Sequence, residues 1–305
     1  MASVPELPDL AEVKSQAAPK RALEVAAAGG HPILLVGPAG AGKTLLASCL
    51  PGLLPPRMPA EAAGIAERHR RAGLEPPAGR PFRAPAPTLA PRELVSRRPS
   101  AEVALARGGV LFLDELLDFG RRRLRALRRW LRDAAAGDVL LVAASRSCPC
   151  GGLGSPYRRC ICARGEVARY TAPVRELFAD LAHLQVAVSP IAPYELQSAG
   201  GEASREVAAR VEAARRRARA RGAGPNAFAP VRPLPAAFEP NAAGRRLLET
   251  AYDRLGLTPR DLEILQRVAR TVADLASHQA VSAPHVAEAI QYRTLFDRFA
   301  APPGD

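Results

Sequence analysis

Apolar residues are arranged in two different ways along the chain, and the change falls near residue 190. Before it, short apolar runs at 32–36, 110–113 and 139–144 are followed at once by a glycine, a carboxylate or a serine. Runs of this length are typical of buried strands in a parallel sheet. After it, apolar residues recur at the spacing of amphipathic helices.

This pattern predicts the fold class. Strands that alternate with helices up to residue 188 indicate an α/β layer sandwich with a parallel sheet. A linker at 190–193 is followed by predicted helices over 202–221, 241–255, 258–277 and 283–299. We therefore predict one α/β domain over residues 1–190 and a helical lid domain over residues 191–305.

The first domain has its own predicted helices, at 10–28, 44–50 and 120–135. The first should end at Gly29, and the second should be stopped by Pro51 and Gly52, because proline and glycine are poor in helix interiors. Residues 53–99, rich in proline and arginine, form a predicted insertion with one helix near 60–72.

A phosphate-binding loop follows the first apolar run, because residues 37–44 match the pattern G-x-x-x-x-G-K-[ST]. Its glycines let successive backbone N–H groups point at a polyphosphate on a helix N-terminus. Lys43 should reach the β and γ phosphates, and the Thr44 hydroxyl should bind Mg²⁺. The predicted ATP-binding residues are Gly37, Pro38, Ala39, Gly40, Ala41, Gly42, Lys43, Thr44, Leu45 and Asp114.

Two carboxylates, Asp114 and Glu115, follow the second run at the carboxyl end of its strand. Parallel sheets place ligands at that edge. Asp114 is predicted to hold Mg²⁺ together with Thr44, and Glu115 to orient or deprotonate the attacking water. The cofactors predicted for this site are ATP and Mg²⁺.

Charge adds a possible partner. The net charge of +13 favours contact with a polyanion, with ATP itself and acidic protein surfaces as alternatives. The arginine-rich helix at 120–135 offers a basic face for DNA, or a plain solvated face.

No apolar run approaches the roughly 18 residues that cross a bilayer, and the N-terminus does not have the pattern of a signal peptide. We predict a cytoplasmic protein with no membrane contact.

Four of the five cysteines form the pattern C-x-C-x₉-C-x-C, at Cys148, Cys150, Cys160 and Cys162. Four thiolates suit tetrahedral Zn²⁺ and leave no open position for catalysis. The alternatives are structural zinc and reduced free cysteines. The five histidines are scattered along the chain and suggest no ligand set, and Cys49 is expected in the core.

With these residues located, the chain resembles the magnesium-chelatase-like branch of the AAA+ ATPases, most closely the ComM/YifB competence-type proteins. The segments that carry the resemblance are AAAGGHPILLVGPAGAGKT from Ala26, LPGLLPP from Leu50, RPFRAP from Arg80, GGVLFLDELLDF from Gly108, CPCG from Cys148, VARTVADL from Val268 and HVAEAIQYR from His285. In that family a Lon-protease-like domain commonly precedes the ATPase domain. The ATPase pattern here begins within the first ten or so residues, so that domain is expected to be absent.

The resemblance also assigns roles and departures. Arg260 falls where the family has the second sensor arginine of the lid, with Arg270 as a weaker candidate. Arg146 occupies the polar sensor position where the family has asparagine, and Leu181 replaces the arginine that the family offers to a neighbouring subunit. Arg175 is a candidate substitute. The segment between 135 and 139 is too short for the hairpin of relatives, and Ala86 and Pro87 replace a histidine pair.

The resemblance implies a ring-forming, homo-oligomeric ATPase that couples Mg-ATP hydrolysis to remodelling of DNA. Two alternatives stay open. One is a hydrolysis-deficient ATP-binding paralogue that acts as a regulatory or assembly subunit, with a partner subunit supplying the arginine finger. The other is a motor subunit for metal insertion, which rests on fold analogy alone.

Overall fold

The structure is a computed structural model, and it describes residues 7–96, 98, 100–131, 138–178, 181–197, 200–222, 224–230 and 235–295. Five parallel strands form the centre of the fold, in the order β2-β3-β4-β1-β5. They are β1 (Ile33–Val36), β2 (Phe82–Arg83), β3 (Gly109–Leu113), β4 (Val139–Ser145) and β5 (Leu184–Ala187). Every residue of β1, β3 and β4 is buried, as their continuous apolar runs predict.

Helices cover both faces of this sheet. Those before β5 are α1 (Ala17–Gly29), α2 (Lys43–Leu53), α3 (Pro59–Arg71), α4 (Pro91–Leu94), α5 (Glu102–Leu105), α6 (Gly120–Leu131) and α7 (Arg164–Phe178). Those after β5 are α8 (Ser204–Ala220), α9 (Ala242–Leu255), α10 (Pro259–Leu275) and α11 (Ala283–Gln291). The predicted α/β fold followed by a helical C-terminal part is confirmed.

Alternate residues of β1 face opposite layers, as the pleat of a strand requires. Ile33 and Leu35 belong to a core cluster shared with α1, α2 and the C-terminal helices, whereas Leu34 and Val36 belong to one shared with α6 and α7. Helix α1 packs against both α8 and α10, so the C-terminal helices lie directly on the sheet's covering layer. Among the described residues, no helix is long and apolar enough to cross a membrane.

Two predicted helix boundaries are wrong. Helix α2 does not stop at Pro51 but continues to Leu53, because Leu46, Leu50 and Leu53 form one fully buried stripe whose packing outweighs the cost of a proline. The helix predicted over 10–28 begins only at Ala17, since Ser15 and Gln16 adopt left-handed backbone angles.

A third predicted boundary is also wrong: the helix predicted over 283–299 is α11 and ends at Gln291, where the next carbonyl, that of Tyr292, accepts from the Gln185 N–H of β5. The other boundaries agree within a few residues. The insertion helix predicted near 60–72 is α3, and the helices predicted over 202–221, 241–255 and 258–277 are α8, α9 and α10. The predicted helix ends at residues 132–135 and 296–299 lie outside the described residues, as does the segment expected to be too short for a hairpin.

A buried polar network joins the sheet to α10. The Nδ1 atoms of His31 and His183 are 3.0 Å apart, and His31 Nε2 is 2.7 Å from the Thr271 hydroxyl. The amide of Asn226 donates to both that hydroxyl and the Asp274 carboxylate. Because the hydroxyl donates its own proton to a backbone carbonyl, it must accept from His31. His31 is therefore an acceptor at Nδ1 and His183 the donor.

Asp274 also binds two cations. Arg221 donates to both its carboxylate oxygens, and Arg270 donates to one at 3.0 Å. Arg270 is almost fully buried and also donates to the carbonyls of Ala237, His278 and Gln279. This places Arg270 inside the helical part as a structural residue, so the weaker second-sensor candidate is wrong.

Candidate nucleotide site and cysteine cluster

The loop between β1 and α2 has the conformation that its glycines predict. Gly40 and Gly42 adopt φ of 76° and 88°, in the left-handed region that side chains disfavour. Gly37 is required for a different reason: a Cβ at this position would lie 2.1 Å from the Val188 carbonyl oxygen, just beyond β5. Beyond this loop, α2 starts without a side-chain cap. Its first N–H groups therefore point at a site suited to phosphate.

Lys43 and Thr44 stand at the start of α2. The Lys43 ammonium is buried and donates to the carbonyls of Gly37 and Pro38 at 3.0 and 2.9 Å. Burial lowers its pKa, while the nearby Glu115 and Asp114 carboxylates oppose that shift. An anion at the helix start would replace the two carbonyl contacts, so the residues present fit a nucleotide phosphate.

Asp114 and Glu115 reach the same place from the end of β3. The Thr44 hydroxyl donates to Asp114 Oδ2 at 2.9 Å, and the Glu115 backbone N–H donates to Asp114 Oδ1 at 3.0 Å. Thr44 and Asp114 thus bring two oxygen ligands together beside the phosphate loop. This donor set is the one that Mg²⁺ prefers. Glu115 adopts a φ of 46°, a strained conformation of the kind that clusters at functional sites.

Arg146 binds the predicted catalytic carboxylate. Its Nε donates to Glu115 Oε2 at 3.0 Å, and its Nη2 lies 3.9 Å from Asp118. The guanidinium also lies 5.9 Å from the centre of the Tyr170 ring. Sequence reasoning located Arg146 but found neither Asp118 nor Tyr170, which come from separate segments. An arginine in this place can fix the position of the Glu115 carboxylate.

The remaining residues predicted for the site do not take part in the contacts described above. Leu45 is exposed on the first turn of α2, and Arg260 is the second residue of α10, where it pairs with Glu263 at 3.5 Å. Leu181 is buried and so packs in the core rather than facing a neighbouring subunit. Arg175 is exposed on α7, while Asp180, next to Leu181, lies outside the described residues.

The four clustered cysteines converge as their spacing predicts. The sulfur of Cys150 lies 3.5 Å from that of Cys148 and 3.7 Å from that of Cys160. All four sulfurs, including that of Cys162, lie within 4.8 Å of one another. A tetrahedral ion with 2.3 Å metal–sulfur bonds requires sulfur separations of about 3.8 Å. The four residues therefore fit a zinc-sized ion with little movement.

Backbone N–H groups donate to the sulfurs of this cluster, and they favour the thiolate form at Cys150. The Leu153 N–H donates to Cys148 Sγ and the Cys150 N–H to Cys162 Sγ. Backbone donors at Ile161 and Gly152 lower the pKa of Cys150 to about 6. Cys49, by contrast, is buried in the core as expected, and burial raises its pKa to about 12. Among the described residues, the clustered cysteines form the one group of three or more His, Cys, Asp or Glu side chains close enough to hold a metal ion.

Family comparison matches nearly the whole chain. Residues 9–196 match the family described as magnesium chelatase, subunit ChlI, and residues 201–293 match the C-terminal part of that subunit.

Individual relatives agree with the family match. The chain is 34% identical to the competence protein ComM of Haemophilus influenzae over 94% of its length, and 33% identical to the uncharacterized protein YifB of Escherichia coli over 94%. An uncharacterized protein of Mycobacterium tuberculosis is 36% identical over 93% of the chain. The aligned region covers 60% of the ComM and YifB sequences and 61% of the mycobacterial one. The chain therefore spans about three fifths of the length of these relatives.

Proposed function

The chain belongs to the magnesium chelatase subunit ChlI family, within the AAA+ superfamily, and from that premise we propose that it binds and hydrolyses Mg-ATP and couples the cycle to remodelling of DNA. Residues 1–190 act as the ATPase domain and residues 191–305 as the lid. The cytoplasmic location stays a prediction from the sequence.

The observation that carries this proposal is the meeting of Lys43, Thr44, Asp114 and Glu115 at the carboxyl edge of the sheet. Lys43 and the first N–H groups of α2 bind the phosphates. Thr44 and Asp114 hold Mg²⁺, which neutralises phosphate charge when bound. Glu115 positions the attacking water and takes up its proton.

The decisive experiment measures steady-state ATP hydrolysis with Mg²⁺ for the native protein and Glu115→Gln, with nucleotide binding measured in parallel. We expect turnover to fall at least about a hundredfold, the range for removing a general base, with binding kept. Binding that is absent in both proteins would refute the proposal.

Assembly into a ring is part of the proposal, because ATPases of this kind take an arginine from a neighbouring subunit. Leu181 stands at the position of that arginine and cannot replace it. The missing arginine comes from another residue of a neighbouring copy, with Arg175 as the exposed candidate, or from a partner subunit. The test is the mass in solution with and without a non-hydrolysable ATP analogue. A monomer under both conditions would contradict the ring.

Contact with DNA is proposed for one face of α6. Arg121, Arg123 and Arg128 are occupied by contacts within the chain. The exposed arginines of α6 that make no such contact among the described residues are Arg122, Arg125 and Arg129, spaced so that they share one face of the helix. Replacing all three with alanine should weaken binding to single-stranded DNA and reduce its salt slope by about 2. The matched control replaces Arg245, Arg246 and Arg254, exposed on α9. Equal effects of both triple variants would contradict a site on α6.

A second candidate function is favoured by the bond between Arg146 and Glu115. If Arg146 holds that carboxylate throughout the cycle, the protein binds ATP without turnover and acts as an assembly or regulatory subunit. The experiment with Glu115→Gln separates the two, because tight binding without turnover in the native protein identifies the second. A motor for metal insertion rests on the family description alone and ranks last.

We further propose that the cysteine cluster holds structural Zn²⁺. Metal analysis should give about one zinc per chain, as a Cys₄ site requires. Cys160→Ser should lose the metal and lower the unfolding temperature. A zinc-free protein with an unchanged unfolding temperature would refute this site.

A further inference from the structure

A second cavity lies at the edge of the sheet opposite the phosphate loop. It has a volume of about 410 Å³. Its floor is made by residues that precede or begin strands, among them Gly30, Gly108 and Val139. Because the phosphate loop follows the carboxyl end of β1, this cavity is separated from the nucleotide site by the length of the strands.

Three parts of the chain contribute an arginine to this cavity. Arg68 comes from α3 in the insertion, Arg107 from the turn before β3, and Arg215 from α8 in the helical part. A fourth lining arginine, Arg80, pairs with Glu61 at 2.7 Å and spends its other donors on the backbone of residues 55, 56 and 108. Arg80 and Glu61 are therefore a neutral structural pair.

The other three arginines lack such a partner. Among the described residues none of them forms a salt bridge: Arg68 donates to the Arg107 carbonyl, Arg215 to the Ala27 carbonyl, and the Arg107 guanidinium has no bonding contact. Asp138 is the one lining carboxylate besides Glu61. Three cations thus face one carboxylate, whereas the fully buried Arg270 has a carboxylate partner in Asp274.

Burial makes this excess charge costly. Burial and the Arg107 guanidinium lower the pKa of Arg68, and its Nε is a buried donor without a partner among the described residues. Burial, with Arg80 and Arg219 nearby, lowers the pKa of Arg215 to about 10. A bound anion would relieve both the desolvation and the mutual repulsion.

We propose that this cavity binds a small polyphosphate, inorganic or carried by a nucleotide, and that the ligand ties the insertion and α8 to the sheet. Arginine suits phosphate because its planar fork donates two parallel hydrogen bonds to phosphate oxygens. A cavity of this volume falls in the range for small-molecule sites. The site is separate from the ATP site and would act as an effector site.

The test uses the full chain with Lys43→Ala, which removes the main phosphate anchor of the ATP loop. Pyrophosphate binding is measured by calorimetry, and the shift in unfolding temperature is measured alongside. We expect one site per chain, and adding Arg107→Ala should weaken it about tenfold or more, the effect of one charge-assisted hydrogen bond. Because Arg107 makes no side-chain bond among the described residues, this variant should fold normally.

The matched control is Lys43→Ala with Arg71→Ala. Arg71 is exposed on α3 and lies outside the cavity lining, so its removal lowers the net charge equally without touching the site. A second arm compares pyrophosphate with ADP, and tighter binding of ADP would identify a nucleotide as the ligand. Absent binding, or equal weakening by Arg71→Ala and Arg107→Ala, would overturn the proposal. Either result is independent of whether the native protein hydrolyses ATP.

Discussion

The two edges of the sheet differ in how their polar residues are brought together. At the carboxyl edge, Lys43 and Thr44 lie within one loop and helix start, and Asp114 and Glu115 are adjacent. At the amino edge, Arg68, Arg107 and Arg215 come from three distant segments, and His31, His183 and Thr271 from three more. The first edge is set by local sequence and the second by tertiary packing.

This difference indicates which substitutions should impair function and which should reduce stability. The carboxyl edge is built from groups suited to bind a nucleotide phosphate and Mg²⁺, so changes there should affect function more than stability. At the amino edge, the network around Asp274 is closed by groups of the chain itself, so changes there should affect folding. Four experiments test this contrast.

The largest effect is expected from Asp274→Ala in the amino-edge network. The change leaves Arg270 buried without its carboxylate, and breaking a buried ion pair in this way costs about 3 to 5 kcal/mol. Urea unfolding measures the loss. Glu67→Ala, which removes an exposed partner of Arg70 and Arg71, should cost less than about 1 kcal/mol. Similar losses in both variants would erase the contrast.

Lys43→Ala should produce the opposite result at the other edge. ATP affinity should fall on the order of a hundredfold, as for a lost contact with a charged ligand. The free energy of unfolding should change by about 1 kcal/mol or less, because the cost of desolvating the Lys43 ammonium cancels most of what its two hydrogen bonds contribute. Calorimetric ATP titration and urea unfolding give the two values. A large loss of stability with unchanged ATP affinity would show that Lys43 stabilises the fold rather than binding phosphate.

The buried histidine pair at the amino edge predicts that the stability of the protein depends on pH. Burial lowers the pKa of His31 to about 3, and burial also lowers the pKa of His183. The unfolded chain takes up a proton as the pH falls below about 6.5, while the folded protein does not. Stability is therefore complete above that pH and is lost below it, by about 2 kcal/mol for His31 between pH 7 and 5.

Urea unfolding at pH 7 and pH 5 checks this prediction. His31→Asn keeps a polar group beside Thr271 and should reduce the pH dependence even if it lowers stability at both pH values. A variant whose stability falls with pH as steeply as that of the native protein would show that the histidine pair is not responsible.

The smallest expected effect concerns Arg146 at the carboxyl edge. Arg146→Asn frees the Glu115 carboxylate and should raise ATP turnover about fivefold, since a half-exposed ion pair contributes about 1 kcal/mol. Arg146→Lys keeps a cation there and should leave turnover near the native rate. Slower turnover in Arg146→Asn would instead make Arg146 a residue that assists the reaction.

Sequence reasoning succeeded where the physics is local. A strand, a glycine loop and a helix start are adjacent in sequence, and β3 leads directly into Asp114. The prediction that Pro51 stops α2 was wrong, because burial of Leu53 is decided by contacts with distant segments. The predicted site roles of Lys43, Glu115 and Arg260 stay predictions.

The amino edge could not be predicted for a related reason. Three arginines in a chain whose 43 basic residues are nearly all arginine carry no signal by type or spacing. The histidines looked scattered because His31 and His183 are 152 positions apart, yet parallel pairing places their strands side by side. Only the pairing of β1 with β5 brings them together.

The glycines of the phosphate loop differ in whether the fold or the nucleotide site requires them. Gly37 is fixed by the Val188 carbonyl, a backbone contact that persists whether or not a nucleotide binds. Gly40 and Gly42 have open space around them and are held to glycine only by the loop conformation. A related protein that has lost ATP binding should therefore keep the first glycine after the other two have been substituted. Gly37 alone is poor evidence of a functional nucleotide site.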